Sequence, residues 1–245
     1  MTAVRFRHQQ ISLDHGKHVK HCTHSIPEDP AMQIAIIGAG NVGKALASTL
    51  TRAGHEVTLT AADPEHATAA ARETGANAAA SNLDAARAAD LVVLAVPAQA
   101  LDEIAGEIGE ELSGKVVVDV TNRPTPNPTG PATSIAEELQ EKVPGAKVVK
   151  AFNTLFASRQ AEPEVAGIPA DAYVAADDPG AKAAVLDVVE SAGFRPVDVG
   201  SLATARTLEG MAWLNIQRNM AGGSWQDAWV LVGPETASRT ADERN

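Results

Sequence analysis

The feature that most restricts the fold of this chain is a regular alternation of short apolar runs and amphipathic segments that begins at Met32. The first run, residues 33–38, reads QIAIIG and is followed by NVGKALASTLTRAG, in which apolar residues recur at helical spacing and a glycine suits the helix C-cap. Further apolar runs, most of them separated by helical segments, occur at HEVTLT, at the weaker third run ANAAA, and at DLVVLAVP, KVVVDVTN, AKVVKAFN, DAYVAAD and FRPVDVG. This alternation predicts an α/β fold: a doubly wound parallel sheet with helices on both faces and a small C-terminal αβ and helical extension.

The turn after the first apolar run has the pattern GxGxxG, formed by Gly38, Ala39, Gly40, Asn41, Val42 and Gly43. Alone the pattern is weak, but here it follows a strand and opens a helix, which is the context in which it binds a dinucleotide. Gly38 would allow the tight turn, Gly40 would let the backbone approach a pyrophosphate, and Gly43 would let the helix pack closely on the strand. Free N–H groups at the helix start would stabilise the phosphate charge. We therefore predict a Rossmann-type fold in which these six residues bind the cofactor.

The end of the second strand, LTAADPE, bears on the choice of cofactor. An acidic residue about 20 positions after the glycine motif binds the ribose hydroxyls and selects NAD, whereas an arginine there favours NADP. Asp63 lies at this distance, but it also precedes Pro64 and is equally suited to be a helix N-cap. Both roles stay open, and Ala61, Ala62 and Asp63 are all assigned to the cofactor site.

The composition limits the classes of partner. The formal net charge of −11 argues against general binding of nucleic acids or anionic membranes, so an anionic ligand must be held by local groups. Cys22 is the single cysteine, which excludes an intrachain disulfide and fits a reducing cytoplasm. No apolar run is long enough to span a bilayer. We expect a cytoplasmic protein that acts on a small molecule.

Residues 1–31 differ from the rest of the chain, because they contain five of its seven histidines: His8, His15, His18, His21 and His24. The stretch HGKHVKHCTH also contains Cys22, and imidazole and thiolate are zinc ligands. The alternative is a leader without apolar periodicity or the apolar core of a secretory signal. We favour this alternative, predict no metal site, and expect a chain that starts at Met32 to retain its activity.

Four segments together resemble the coenzyme F420-dependent NADP oxidoreductases: IAIIGAGNVGKALASTLTRAGHEV, AADLVVLAVP, KVVKAFNTLFA and VDVGSLATARTLEGMAWLNIQRN. The resemblance extends from Met32 to about Pro234, and AFNT is also similar to the reductase domain of the six-transmembrane epithelial metalloreductases. It implies hydride transfer between the nicotinamide C4 of NADP(H) and C5 of the deazaflavin coenzyme F420, with a flavin-like compound as the alternative acceptor. Members of the family often carry Ser-Arg after the second strand to bind the 2′-phosphate. This chain has Ala61-Ala62, so NAD remains an alternative to NADP.

The resemblance also implies where the nicotinamide lies: at the ends of the fourth, fifth and sixth strands. In this chain those ends are Ala95-Val96-Pro97, Thr121-Asn122 and Ala151-Phe152-Asn153-Thr154. Asn153 and Thr154 are assigned as positioning residues that hydrogen-bond a carboxamide or a ring carbonyl; the alternative is that they only close the strand end. No catalytic acid is assigned, because hydride transfer between two rings depends on geometry and water exclusion.

The implied organisation has four parts. A disordered leader covers residues 1–31, a dinucleotide-binding domain covers 32–154, an extension that completes the deazaflavin site covers 155–236, and a disordered tail covers 237–245. Five of the eight aromatic residues lie late in the chain, where they form either a wall beside a flavin-like ring or part of a core or dimer contact: Phe152, Phe156, Trp213, Trp225 and Trp229. The apolar content of the last helix is compatible with a homodimer.

Two other functions remain open. One is a nicotinamide-dependent reductase of a small imine or carbonyl compound, resembling the pyrroline-carboxylate reductases. Those enzymes need a larger helical C-terminal region than the roughly 40 residues that follow Ala203. The other is a module that binds the dinucleotide and regulates a partner without turnover, since the sequence offers no obvious general acid.

Overall fold

The computed structural model describes residues 31–123 and 133–233, and within them eight strands form one sheet. In chain order these strands are β1 (Gln33–Ile37), β2 (Glu56–Thr60), β3 (Asn77–Ala78), β4 (Leu91–Leu94), β5 (Val116–Asp119), β6 (Lys147–Lys150), β9 (Asp171–Ala176) and β10 (Arg195–Asp198). Two short strands, β7 (Glu164–Val165) and β8 (Ile168–Pro169), form a separate antiparallel hairpin. The helices are α1 (Asn41–Arg52), α2 (Pro64–Thr74), α3 (Asn82–Ala88), α4 (Leu101–Ile108), α5 (Ile135–Lys142), α6 (Ala157–Ala161), α7 (Pro179–Ser191) and α8 (Ala205–Met220).

The strand order is β10-β9-β6-β5-β4-β1-β2-β3. The chain runs from β1 outward to β3 on one side, returns to β4 beside β1, and then builds outward on the other side. The strand order therefore reverses between β1 and β4, and in open α/β sheets a ligand binds outside the carboxyl ends of the strands at such a point. Two separate apolar clusters of buried residues cover the sheet. One includes Ile36 and Leu46, and the other includes Ile37 and Ile108. The Rossmann-type fold is confirmed.

Local signals explain several element boundaries. β1 and β4 are apolar runs buried almost throughout, as expected for strands covered on both faces. α2 begins at Pro64 and ends before Gly75, whose φ of 77° is the left-handed conformation that favours glycine. α5 begins with a capping box in which the side chains of Ser134 and Glu137 each accept a hydrogen bond from the other residue's backbone N–H.

The sheet is parallel as predicted except at one edge, where β9 is antiparallel to β6. A parallel partner needs a connection that crosses back over the sheet, usually through a helix. The segment between β6 and β9 contains instead the five-residue α6 and the hairpin, and neither was predicted. The chain stays near the edge where β6 ends and enters β9 from there; β10 then pairs parallel with β9. Residues predicted as an extension thus complete the same sheet.

One helix differs from its sequence pattern. The amphipathic spacing of residues 98–114 predicts a single helix, but the structure has a short 3-10 turn at Ala98–Ala100 followed by α4, which ends at Ile108. The predicted disordered leader, except for its last residue Ala31, and the predicted disordered tail over residues 237–245 lie outside the described residues. Among the described residues, no helix combines the length and apolarity of a bilayer span, and no group of three or more metal-ligating side chains is present.

Candidate active site

The structure brings the predicted site segments together along one edge of the sheet. β2, β1, β4, β5 and β6 are neighbours and all run parallel, so their carboxyl ends lie side by side. Backbone hydrogen bonds continue the sheet beyond the strands: Gly38 N donates to Thr60 O at 3.1 Å, Ala95 N to Ile37 O at 2.9 Å, and Ala151 N to Asp119 O at 3.3 Å. The three strand ends assigned to the nicotinamide are therefore contiguous with the glycine-rich turn.

The physical reason for a glycine differs among the three glycine positions of the turn. Gly38 has a φ of +110°, and a Cβ there would lie 2.4 Å from Ala95 O; a Cβ on Gly43 would lie 1.8 Å from Gly38 O. Backbone conformation and packing therefore require both. Gly40 has a φ of −72° and its Cβ would meet no atom of the described residues within 4 Å, although it is the N-cap of α1. Nothing in the part of the chain that the structure describes requires a glycine at this position, which fits close approach of a ligand to the backbone.

At the end of β2, the structure shows one of the two roles proposed for Asp63, that of a helix N-cap. Asp63 is the N-cap of α2, and its Oδ1 accepts a hydrogen bond from Glu65 N at 2.9 Å. The prediction that Asp63 caps the helix is confirmed; a role in binding ribose remains a prediction. Ala61 is half-buried and Ala62 is exposed.

Sequence reasoning missed one residue at this end of the site, His66. Its Nε2 lies 3.0 Å from the carbonyl oxygen of Ala39, in the middle of the glycine-rich turn. The available signal was that only His55 and His66 lie outside the histidine-rich leader.

At the other end of the site, the side chains of Asn122 and Asn153 hold the ends of β5 and β6 together. Asn153 Nδ2 donates to Asn122 Oδ1 at 2.9 Å, and Asn122 Nδ2 donates to Asn153 O at 2.8 Å. Asn153, Thr154 and Thr121 are each at most 5% exposed. Asn153 Oδ1 and Thr121 Oγ1 are buried with no hydrogen-bond partner among the described residues. Buried polar atoms without partners are unfavourable, so these two oxygens fit a ligand that supplies donors, such as a carboxamide.

A buried ionic cluster lies under these strand ends, and sequence reasoning missed it. Lys150 and Asp119 are both fully buried, and Lys150 Nζ donates to Asp119 Oδ2 at 2.8 Å, to the Thr121 carbonyl at 2.6 Å and to Glu209 Oε1 at 3.4 Å. Asp119 Oδ1 accepts from Thr121 N at 2.8 Å. Burial raises the pKa of Glu209 above its usual value, with the Lys150 ammonium acting in the opposite direction. The cluster fixes the main chain on either side of Thr121, the residue with the unpaired hydroxyl.

A sequence signal for this cluster existed. Aspartate interrupts the apolar run VVVDV and lysine interrupts VVKAF, and both occupy the last position of their strands. In the parallel register Asp119 is the direct partner of Lys150. Since an unpaired charge is rarely buried, the two interruptions predict each other once the strands are paired.

Comparison with known proteins identifies the family of this chain. Residues 33–123 match the family model described as NADP oxidoreductase, coenzyme F420-dependent. The F420-dependent NADP reductase of Methanothermobacter marburgensis is 31% identical over 77% of this chain and 93% of its own length, and that of Methanothermobacter thermautotrophicus is 32% identical over 77% and 90%. The chain belongs to the F420-dependent NADP reductase family. It is therefore an oxidoreductase, and the family resemblance seen in the sequence is confirmed.

Other relatives extend the comparison. The rat metalloreductase STEAP3 is 29% identical over 75% of this chain, but the chain spans only 37% of the length of that protein. A crystal structure of an Arthrobacter protein assigned as an F420-dependent NADP-reductase matches 83% of this chain and all of its own, with a TM-score of 0.75 and 31% identity. The reductive aminase of Aspergillus terreus, at 20% identity over 79% of this chain and 64% of its own, with a TM-score of 0.61, shares the fold alone.

Within this family fold, the late aromatic residues divide into two groups. Phe152 is 1% exposed and packs edge-on against Phe194, with ring centroids 5.7 Å apart, so it fills the core and the alternative of a ring wall is wrong for this residue. Its φ of 59° is rare for a non-glycine residue and directly precedes Asn153. Phe156 packs edge-on against Trp225 at 5.1 Å, and Trp225 is 43% exposed. Trp213 and Trp229 are half-buried.

Proposed function

We propose that this family member transfers a hydride between NADP(H) and coenzyme F420, with NAD(H) as a weaker alternative cofactor. The observation that carries the proposal is the pairing of two features on one sheet edge: the open backbone at Gly40, and the buried oxygens of Thr121 and Asn153 that lack partners among the described residues. A bound nicotinamide supplies or accepts a hydride at C4, and a deazaflavin exchanges it at C5.

The chain's own residues then have distinct tasks. Backbone N–H groups at the start of α1 bind the pyrophosphate. Asn153 Oδ1 and Thr121 Oγ1 accept hydrogen bonds from the carboxamide and fix the orientation of the ring, since Asn122 and Lys150 hold their strand ends in place. The apolar strand ends Ala95–Pro97 and Ala151 exclude water from the reacting face. Reduced F420 takes up one proton from solvent in addition to the hydride, so a site without a general acid is adequate.

The surface formed by Phe156 and Trp225 is suited to bind the deazaflavin ring of the acceptor. These side chains follow β6 and α8, and the Ser158 hydroxyl donates to the Trp225 carbonyl, which ties the later segment to the loop after β6. An exposed indole beside a phenyl ring offers a flat apolar surface to a tricyclic ring.

The test uses the purified full chain with NADPH and either oxidised F420, FMN or no acceptor, followed by absorbance of both partners. We expect NADPH and oxidised F420 to be consumed in equal amounts. With FMN as the acceptor, we expect NADPH to be oxidised more slowly. Asn153→Ala should lower turnover while leaving the affinity for ADP-ribose unchanged, because the change affects only the nicotinamide end. Tight NADPH binding without oxidation by either acceptor would instead support the dinucleotide-sensing function and contradict the proposal.

A further inference from the structure

Trp225, which follows α8, combines two features that rarely occur together. Its φ is 58°, in the left-handed region that residues with a Cβ rarely adopt, and 43% of its surface is exposed. Burial in a core therefore does not account for this backbone conformation. Residues in such conformations persist only where the surrounding structure fixes them, and they are found most often at ligand sites.

Side chains from two different helices hold the backbone of Trp225. On α8, Asn219 Oδ1 accepts a hydrogen bond from Trp225 N at 2.7 Å. On α6, the hydroxyl of Ser158 donates to the carbonyl oxygen of Trp225. The indole packs edge-on against Phe156, with ring centroids 5.1 Å apart. Both polar groups of the Trp225 main chain are thus bound, which fixes the direction in which the indole leaves the backbone.

The amide of Asn219 is itself held in one orientation. Asn219 is 2% exposed, and its Nδ2 donates to Asp227 Oδ2 and to the carbonyl oxygen of Asn215, both at 3.0 Å, so that Oδ1 faces Trp225 N. The turn after α8 wraps closely around this side chain, since a Cβ on Gly223 would lie 2.3 Å from Asn219 Oδ1. A buried amide with this many partners specifies a single path for the turn.

We propose that Asn219, together with Ser158, positions Trp225 for stacking against the deazaflavin ring of the acceptor, an inference that rests on the proposed function. Asn219 is buried, so it acts through the indole and is a positioning residue. Stacking between aromatic rings depends on their offset and separation, so a displaced indole binds the acceptor less well even though the side chain is still present. The pyrophosphate turn and the nicotinamide end belong to α1, β5 and β6, so NADPH binding should not respond.

The test is a double-mutant cycle on the full chain, with steady-state oxidation of NADPH by oxidised F420 as the assay. Trp225→Ala should raise the KM for F420 about fivefold through the loss of stacking. Asn219→Ala should raise this KM to a similar extent in the wild type, but by less than about twofold in the Trp225→Ala background. The kcat at saturating F420 and the Kd of NADPH should change by less than about twofold in each variant. A role in stability alone would give the same increase in both backgrounds.

Two further variants complete the design. Gln217→Ala removes an exposed amide from the last part of the same helix and should leave the KM for F420 unchanged. Ser158→Ala removes the other hydrogen bond to Trp225, should raise the KM in the same direction, and replaces Asn219→Ala in the cycle if circular dichroism shows that Asn219→Ala does not fold.

The outcomes separate this inference from the proposed function. If the wild type reduces F420 but Trp225→Ala leaves the KM unchanged, the inference alone is overturned. An equal increase from Asn219→Ala in the two backgrounds would overturn it as well. If the wild type does not reduce F420, the proposed function is wrong and the inference is wrong with it.

Discussion

The middle glycine of the turn allows the sharpest test of the cofactor site. In Gly40→Val, the new Cβ meets no atom within 4 Å among residues 31–123 and 133–233, and the φ of −72° is open to valine. A valine is a poorer N-cap than glycine, but it also restricts the unfolded chain. These two effects oppose each other, so we expect the free energy of unfolding to change by less than about 1 kcal/mol.

Cofactor binding should respond differently, because the branched side chain occupies the space through which a phosphate must approach the N–H groups of α1. We expect the NADPH affinity of Gly40→Val to fall at least tenfold, or about 1.4 kcal/mol. Calorimetric titration measures the affinity, and urea unfolding measures the stability of the same preparation.

Gly43→Ala is the matched control in the same turn. Its Cβ would lie 1.8 Å from Gly38 O, so backbone atoms must move, and we expect a stability loss of about 3 kcal/mol or more. The two substitutions should thus separate binding from folding. A folded Gly40→Val protein with unchanged NADPH affinity would refute the assignment of this turn to the pyrophosphate.

Three further predictions concern other parts of the chain. In steady-state kinetics, the wild type should prefer NADPH to NADH by less than about a hundredfold, or 3 kcal/mol. Ala62→Arg should increase that preference about tenfold by adding a bidentate phosphate partner; a wild-type preference above about a thousandfold would show that another cation binds the phosphate. Lys150→Met leaves the buried Asp119 without its cation and Glu209 with only Arg123 at 3.8 Å, and should cost about 3–5 kcal/mol in urea unfolding. The exposed Lys142→Met should cost less than about 1 kcal/mol, and equal losses would contradict the ionic argument. Burial lowers the pKa of His55, so the unfolded chain binds more protons below pH 6.5, and stability should decrease as the pH falls through that region. His55→Gln should flatten this part of the stability profile, and an unchanged slope would exclude His55 as its source.

The His55 prediction has a structural basis at the opposite edge of the sheet. Its Nδ1 accepts a hydrogen bond from Met32 N at 3.3 Å, and its Nε2 faces Ser191 Oγ at 2.9 Å. Ser191 Oγ donates to Val188 O, so Nε2 carries the hydrogen. A proton on Nδ1 would break the bond to Met32.

Much of the site follows from the sequence because its determinants are local. The turn conformation of Gly38, the close packing of Gly43 and the cap formed by Asp63 and Pro64 each depend on neighbours within a few residues or on one adjacent strand. The strand ends Ala95–Pro97, Thr121–Asn122 and Ala151–Thr154 follow from the period of the apolar pattern, since parallel strands must end at one edge.

The features that the sequence did not reveal depend on contacts between distant segments. The direction of β9 depends on where the chain lies after β6, and no periodicity encodes that position. Phe152 belongs to the core because Phe194, 42 positions later, packs against it. The sequence by itself thus determined the fold class, the glycine turn and the edge of the sheet at which the candidate site lies. Only the tertiary structure decided that Lys150 is neutralised by Asp119 and Glu209, and that His66 reaches Ala39, because charge compensation and hydrogen bonding depend on distances in space that sequence separation does not constrain.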